Sequence, residues 1–107
     1  MDRDQIYIKE IMDSVAKIER YTEGIDYENF LGDELLQDGV IRQLQIIGES
    51  SKRISKEFKK KNSAIPWRDI AGFRDKVVHD YAYIDLEPVW EAASKDIPEL
   101  KQKLQEK

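Results

Sequence analysis

One apolar stripe constrains this chain more than any other feature. Leu36, Val40, Leu44, Ile47, Ser51, Ile54 and Phe58 follow one another at steps of three or four residues. That spacing keeps all of them on one face of a helix, and no alternating strand pattern competes with it. The stripe predicts a helix from about Glu34 to Lys60, roughly 40 Å long at 1.5 Å per residue. Gly48 lies inside it, beside Ser50 and Ser51. Glycine costs about 1 kcal/mol against alanine in a helix interior, so this cluster of small residues points to a narrow helix–helix crossing.

The same spacing recurs on either side. Ile6 or Tyr7, Ile11, Val15, Ile18 and Tyr21 or Thr22 predict a helix from about Asp4 to Tyr21, with Gly24 as the point of reversal. A short helical turn is expected from Tyr27 to Leu31. Pro66 opens a further helix that Trp67, Ile70, Phe73 or Arg74, Val77 and Tyr81 continue. Asp85 reads as an N-cap with Pro88 in the first turn, and Trp90, Ala93, Ile97, Leu100 and Leu104 form the last stripe. Pro98 sits within that stripe and should kink the helix or restart it. The expectation is an all-α, up-and-down four-helix bundle with one short additional turn, residues 1–107 forming a single domain.

Composition narrows the chemistry. The chain has no cysteine and one histidine, which removes disulfides, thiolate nucleophiles, Cys-based metal sites and any His-pair metal motif within one chain. Imidazole chemistry, if present, belongs to His79. No run approaches the eighteen or so apolar residues of a membrane span, and Met1-Asp2-Arg3-Asp4 lacks a signal-peptide profile, so a cytoplasmic protein without a membrane partner is expected. The net charge of −4 gives no global argument for nucleic-acid binding. It hides an asymmetry: Lys52, Arg53, Lys56, Lys59, Lys60 and Lys61 stand against Glu57 alone, a balance of +5 in ten residues. The simplest account of that run is a solvated helix end whose cations suit the macrodipole.

The segment Arg74-Asp-Lys-Val-Val-His79-Asp80-Tyr81 departs from ordinary helix design. It gathers a fixed cation, an imidazole and a phenol within eight residues. An imidazole can move the proton of a ribose 2′-hydroxyl or of a leaving oxygen, and a guanidinium can hold a phosphate by two parallel bonds. On a continuous helix Arg74 and Tyr81 lie about 20° apart, whereas His79 lies about 140° from Arg74. One straight helix cannot aim all three at one point. Either the helix ends near His79, or a second copy supplies the missing partner across a two-fold axis. Taken alone, R-x4-H-x-Y also fits a surface or core histidine with no catalytic role. Trp67 and Trp90 are most simply core anchors, and Glu49, Asp75 and Asp80 show no spacing that demands a metal.

Over nearly its whole length the sequence resembles the HepT-like proteins, small members of the HEPN (higher eukaryotes and prokaryotes nucleotide-binding) superfamily. Pro66-Trp67-x-x-Ile70-x-Gly72-x-Arg74-x-x-x-x-His79-x-Tyr81 matches their signature, and Ile46-Ile47-Gly48-Glu49-Ser50 is similar to their I-G-E-A-like turn, with Ser50 where alanine is usual. Asp85-x-x-x-Val89-Trp90 and Asp96-Ile97-Pro98-x-Leu100 resemble the closing helix. The resemblance implies a helical bundle that dimerises with the R-x4-H pairs of both protomers facing a shared cleft. It further implies a metal-independent endoribonuclease that needs no cofactor, the toxin of a type VII toxin–antitoxin system encoded beside a minimal nucleotidyltransferase (MntA-like) antitoxin. On that resemblance Arg74 and His79 are the catalytic pair for an RNA substrate, Tyr81 is the acceptor of AMP transferred by the antitoxin, and Asp75 supports Arg74 or His79. The alternatives are a non-catalytic nucleotide- or RNA-binding module that assembles with the nucleotidyltransferase, and an interaction bundle whose Arg and His only hold a dimer together.

Overall fold

Four aspartates and a serine cap five of the described helices. The computed structural model describes residues 2–73 and 85–105. Helix α1 (Arg3–Thr22) begins where the Asp2 carboxylate accepts the Gln5 N–H at 2.9 Å. Asp26 does the same for α2 (Tyr27–Leu31) through Asn29, and Asp33 for α3 (Glu34–Arg53) through Leu36. Each of these carboxylates satisfies an N–H that has no partner inside its helix and places negative charge at the positive end of the macrodipole. Gly24, at φ +71°, turns the chain between α1 and α2 in the left-handed region that glycine enters without steric cost.

Helices α1 and α3 run antiparallel as the central pair. The register is fixed along their length: Asp4 meets Ser55, Glu10 meets Ser50, and the Tyr21 ring lies against Gly39. Ile11, Val15 and Ile18 of α1 pack with Val40, Leu44 and Ile47 of α3, all six essentially inaccessible to water. Burying a side chain of this kind is worth about 1.5–3 kcal/mol, so this seam is a main source of stability. Gln37 ties α2 down, donating to the carbonyls of Phe30 and Leu31 at 2.9 and 3.0 Å. Gly48, Ser50 and Ser51 are buried as the sequence suggests, and Ser51 donates to the Gly48 carbonyl at 2.8 Å.

The expected helix from Glu34 to Lys60 is not continuous. Helix α3 ends at Arg53, Ile54 takes an extended conformation (φ −73°, ψ 140°), and Ser55 caps a separate helix α4 (Lys56–Lys61) through the Phe58 N–H. The apolar stripe runs on across the break, because Ile54 is buried and Phe58 packs edge-on to Trp67. Periodicity therefore reports the buried face correctly while missing the interruption. Asp4, near the start of α1, braces the break: its carboxylate accepts both the Ser55 N–H and the Ser55 hydroxyl.

Helix α5 (Trp67–Ala71) follows Pro66, which caps it without a side-chain hydrogen bond and closes a three-residue turn (Trp67 N–H to Ile65 carbonyl, 2.8 Å). The single helix expected to run to Tyr81 is interrupted, since α5 ends at Ala71 with Gly72 as its C-cap, and the positions after Phe73 lie outside the described residues. Asp85 then caps α6 (Leu86–Glu91) through Glu87, with Pro88 in its first turn as expected. A π-helical turn, Ala92–Asp96, joins α6 to α7 (Ile97–Gln105). It gives Pro98 its restart: Ile97 donates to the Ala92 carbonyl, five residues back, and the widened turn accommodates a proline that can neither donate nor tolerate a close carbonyl beneath it. Phe30 stacks obliquely on Trp90 at 5.0 Å between ring centres, and Lys101 pairs with Glu19 at 3.0 Å, fastening α6 and α7 to the rest. The protein is all-α, with no strand among the described residues.

Candidate functional site

The residues with catalytic potential in the sequence, Arg74, Asp75, His79 and Tyr81, lie outside the described residues. What the structure shows is the scaffold at both ends of that segment. On the leading side, Phe73 and Ile70 are buried, and the Trp67 indole donates to the Asn62 carbonyl at 3.1 Å, so the approach to Arg74 is anchored in the core. On the trailing side, Asp85 caps α6, and α6 is held through Trp90 against Tyr27 and Phe30. Burial, reinforced by the carboxylates of Glu87 and Asp85, raises the Tyr27 phenol above its ordinary pKa.

Between these two shoulders lies a cleft of about 540 Å³ shared by α5, α6 and α7. Its floor is Ile70, Phe73 and Leu100, and its rim carries Asp69, Glu91, Asp96 and Glu99 against Lys103, which itself pairs with Glu99 at 3.0 Å.

A second groove, about 530 Å³, runs along the α1–α3 seam and contains the Ile46, Glu49 and Ser50 positions of the I-G-E-S turn. Ser50, standing where alanine is usual in the resembling family, donates to the Glu10 carboxylate at 2.8 Å. At one end Tyr7 sits between two guanidiniums. Its hydrogen bond with Arg53, helped by Arg3, lowers the phenol pKa, and the same bond raises that of Arg53. Further along, Gln43 is 6% exposed and its Oε1 is buried without a hydrogen-bond partner. The sequence places Tyr7 only as an alternative position of the first apolar stripe and marks neither Glu10 nor Gln43. Tyr7 and Glu10 become neighbours of Arg53 and Ser50 only when α1 folds back on α3. Gln43, one position before Leu44 of the stripe, could have been read as a polar group close to the buried face.

Among the described residues no group of three His, Asp or Glu side chains could hold a metal ion. No helix among them is long and apolar enough to cross a membrane.

The family model described as ribonuclease HepT-like matches residues 11–106, a span that contains Arg74, His79 and Tyr81. The chain is 42% identical over 99 residues to a protein of Thermococcus cleftensis named "Probable ribonuclease HepT", covering 92% of this chain and 90% of that one. It is 38% identical over 100 residues to a protein of Caldanaerobacter subterraneus with the provisional name of an RNase, covering 94% and 89% of the two chains. It is also 40% identical over 100 residues to a Methanocaldococcus jannaschii protein whose name joins a gamma-glutamylcyclotransferase to a provisional RNase; there the match covers 94% of this chain but 45% of the longer protein. No solved structure matches at a significant level.

Proposed function

The chain belongs to the ribonuclease HepT-like family, and from that premise we propose that it is a metal-independent endoribonuclease, the toxin of a two-gene toxin–antitoxin system. The observation that carries this reading is the intact Arg74-x4-His79-x-Tyr81 within the span matched by the family model. The chemistry follows from the side chains. His79 accepts the proton of a ribose 2′-hydroxyl as that oxygen attacks the adjacent phosphorus. Arg74 holds the phosphate by two parallel bonds and stabilises the charge that builds on its oxygens in the phosphorane. The P–O5′ bond breaks, the 5′-oxygen leaves with a proton, and a 2′,3′-cyclic phosphate remains.

A single chain has only one imidazole, yet one proton must be removed and another delivered. A homodimer in which His79 of each protomer serves one of the two transfers meets that need. Tyr81 is the regulatory position. Its phenolic oxygen attacks the α-phosphorus of ATP held by a cognate minimal nucleotidyltransferase antitoxin, pyrophosphate leaves, and AMP remains on the ring. The added phosphate neutralises Arg74 and the added base occupies space that RNA needs.

The decisive experiment incubates wild type and His79→Ala with RNA in EDTA. Cleavage by wild type alone, with cyclic-phosphate ends, is expected. Equal RNA binding by both proteins without cleavage by either would replace this reading with that of a binding module.

A further inference from the structure

The run of basic residues between Lys52 and Lys61 has no part in the chemistry above, and the fold changes what it is. In sequence it is one helix end. In the structure the break at Ile54–Ser55 divides it between the end of α3 and the separate helix α4, and the start of α1 is brought against the junction. A shallow hollow there is lined by Asp2, Arg3, Asp4, Lys52, Arg53 and Ser55. Arg3, some fifty residues away in sequence, thereby joins the cluster. Lys59 of α4 acts electrostatically on Asp4 of α1 and lies 5.9 Å from the centre of the Trp67 ring of α5.

The carboxylates at this junction are already engaged. Asp2 caps α1, Asp4 holds the Ser55 N–H and hydroxyl at 2.8 and 2.7 Å, and Glu57 pairs with Lys61 at 3.3 Å. Lys52, Lys56 and Lys60, by contrast, are exposed and have no ion-pair partner among the described residues. They stand at four-residue intervals across the break. The half-buried Trp67, with Phe58 at its edge and Lys59 5.9 Å from its centre, brings an aromatic ring to one cation of the same run. Exposed cations in a run that also reaches an indole suit a sugar-phosphate backbone with unstacked bases, because phosphates take the charge and an aromatic side chain offers a surface to a base. An acidic protein surface would use the cations and leave the aromatic edge without a role.

We propose that the α1–α3–α4 junction is a docking surface for the backbone of single-stranded RNA, with Lys52, Lys56 and Lys60 contacting successive phosphates. The choice of RNA rests on the ribonuclease reading; the polyanion site rests on the structure. Contacts to substrate then extend beyond the Arg74-x4-His79 motif to this basic face.

The test uses a 2′-O-methyl oligonucleotide, which lacks the attacking hydroxyl, so that binding is read apart from cleavage. Fluorescence anisotropy across a salt series compares wild type, the triple variant Lys52→Gln/Lys56→Gln/Lys60→Gln, and a control, Lys17→Gln/Lys95→Gln/Lys103→Gln, that removes the same charge elsewhere. Each lost phosphate contact lowers the slope of log K against log salt by about 0.7. The junction variant should bind about tenfold more weakly with a slope smaller by about 2, while the control stays near wild type. Equal losses in both variants would reduce the effect to net charge and overturn the proposal. So would an unchanged slope accompanied by a lower melting temperature, which would make the lysines helix-end stabilisers. Catalysis fails separately: lysine-dependent binding by a wild type that does not cleave RNA keeps the docking surface and removes the ribonuclease.

Discussion

The Asp4 carboxylate receives both the backbone N–H and the hydroxyl of Ser55, at 2.8 and 2.7 Å across 51 positions of sequence. These bonds hold the carboxyl pKa below its ordinary value, the backbone bond being the larger cause and the nearby cations Arg3 and Lys59 adding to it. A depressed carboxylate pKa contributes stability that is present above the unfolded-state pKa of about 3.9 and is lost as pH falls through the lower folded-state value. Asp4→Asn should therefore melt below wild type at neutral pH, and the two curves should converge under strong acid. Thermal melts over a pH series measure this, and a difference independent of pH would assign the loss to packing alone.

Gln43 offers the opposite prospect. Its Oε1 lies buried without a partner, and an unmet acceptor of this kind costs roughly 1–3 kcal/mol. Gln43→Met keeps the volume and removes the orphaned atom. It should stabilise the isolated chain by about 1 kcal/mol, seen as a higher denaturant midpoint with an unchanged slope. A fall in stability would show that the amide is satisfied in solution.

Phe30 joins the short helix α2 to the closing helices, fully buried and ring-to-ring with Trp90. Phe30→Ala should cost about 3–5 kcal/mol, since truncation leaves a cavity and removes the aromatic contact. Chemical denaturation checks the value. A loss below about 1 kcal/mol would mean that α2 can collapse into the space.

Arg74→Lys keeps the charge at the proposed catalytic position but removes the planar fork. On the proposed mechanism kcat for RNA should fall by about 10²-fold, the usual consequence of losing one donor to a developing oxyanion. Single-turnover cleavage with saturating enzyme isolates that step, and near-wild-type turnover would take Arg74 out of the phosphorane contact.

Tyr81→Phe retains the ring and deletes the acceptor oxygen. Incubated with the cognate nucleotidyltransferase and ATP, wild type should gain the mass of AMP on the peptide carrying residue 81, and the variant should gain none. Adenylylation of that same peptide in the variant would move the acceptor to another side chain.

Much of the architecture is carried by local rules written in the sequence. The three- and four-residue apolar steps on α1 and α3, the aspartates at positions 26, 33 and 85, Gly24 in the turn and the restart at Pro98 all act over one or two helical turns. Family membership is carried the same way, by residue types at fixed spacing from Pro66 to Leu100. The tertiary structure decided what depends on residues far apart in the chain. At the break in the long stripe, Ser55 caps α4 locally, while its own N–H and hydroxyl are met by a carboxylate from α1, a partner that no window of neighbouring residues contains. The basic run becomes a three-element surface because Arg3 folds back beside Arg53, and Gln43 becomes an orphan because the antiparallel seam closes over it. Sequence by itself determined the faces; folding decided which faces meet, since hydrogen bonds and charges are set by distance in space.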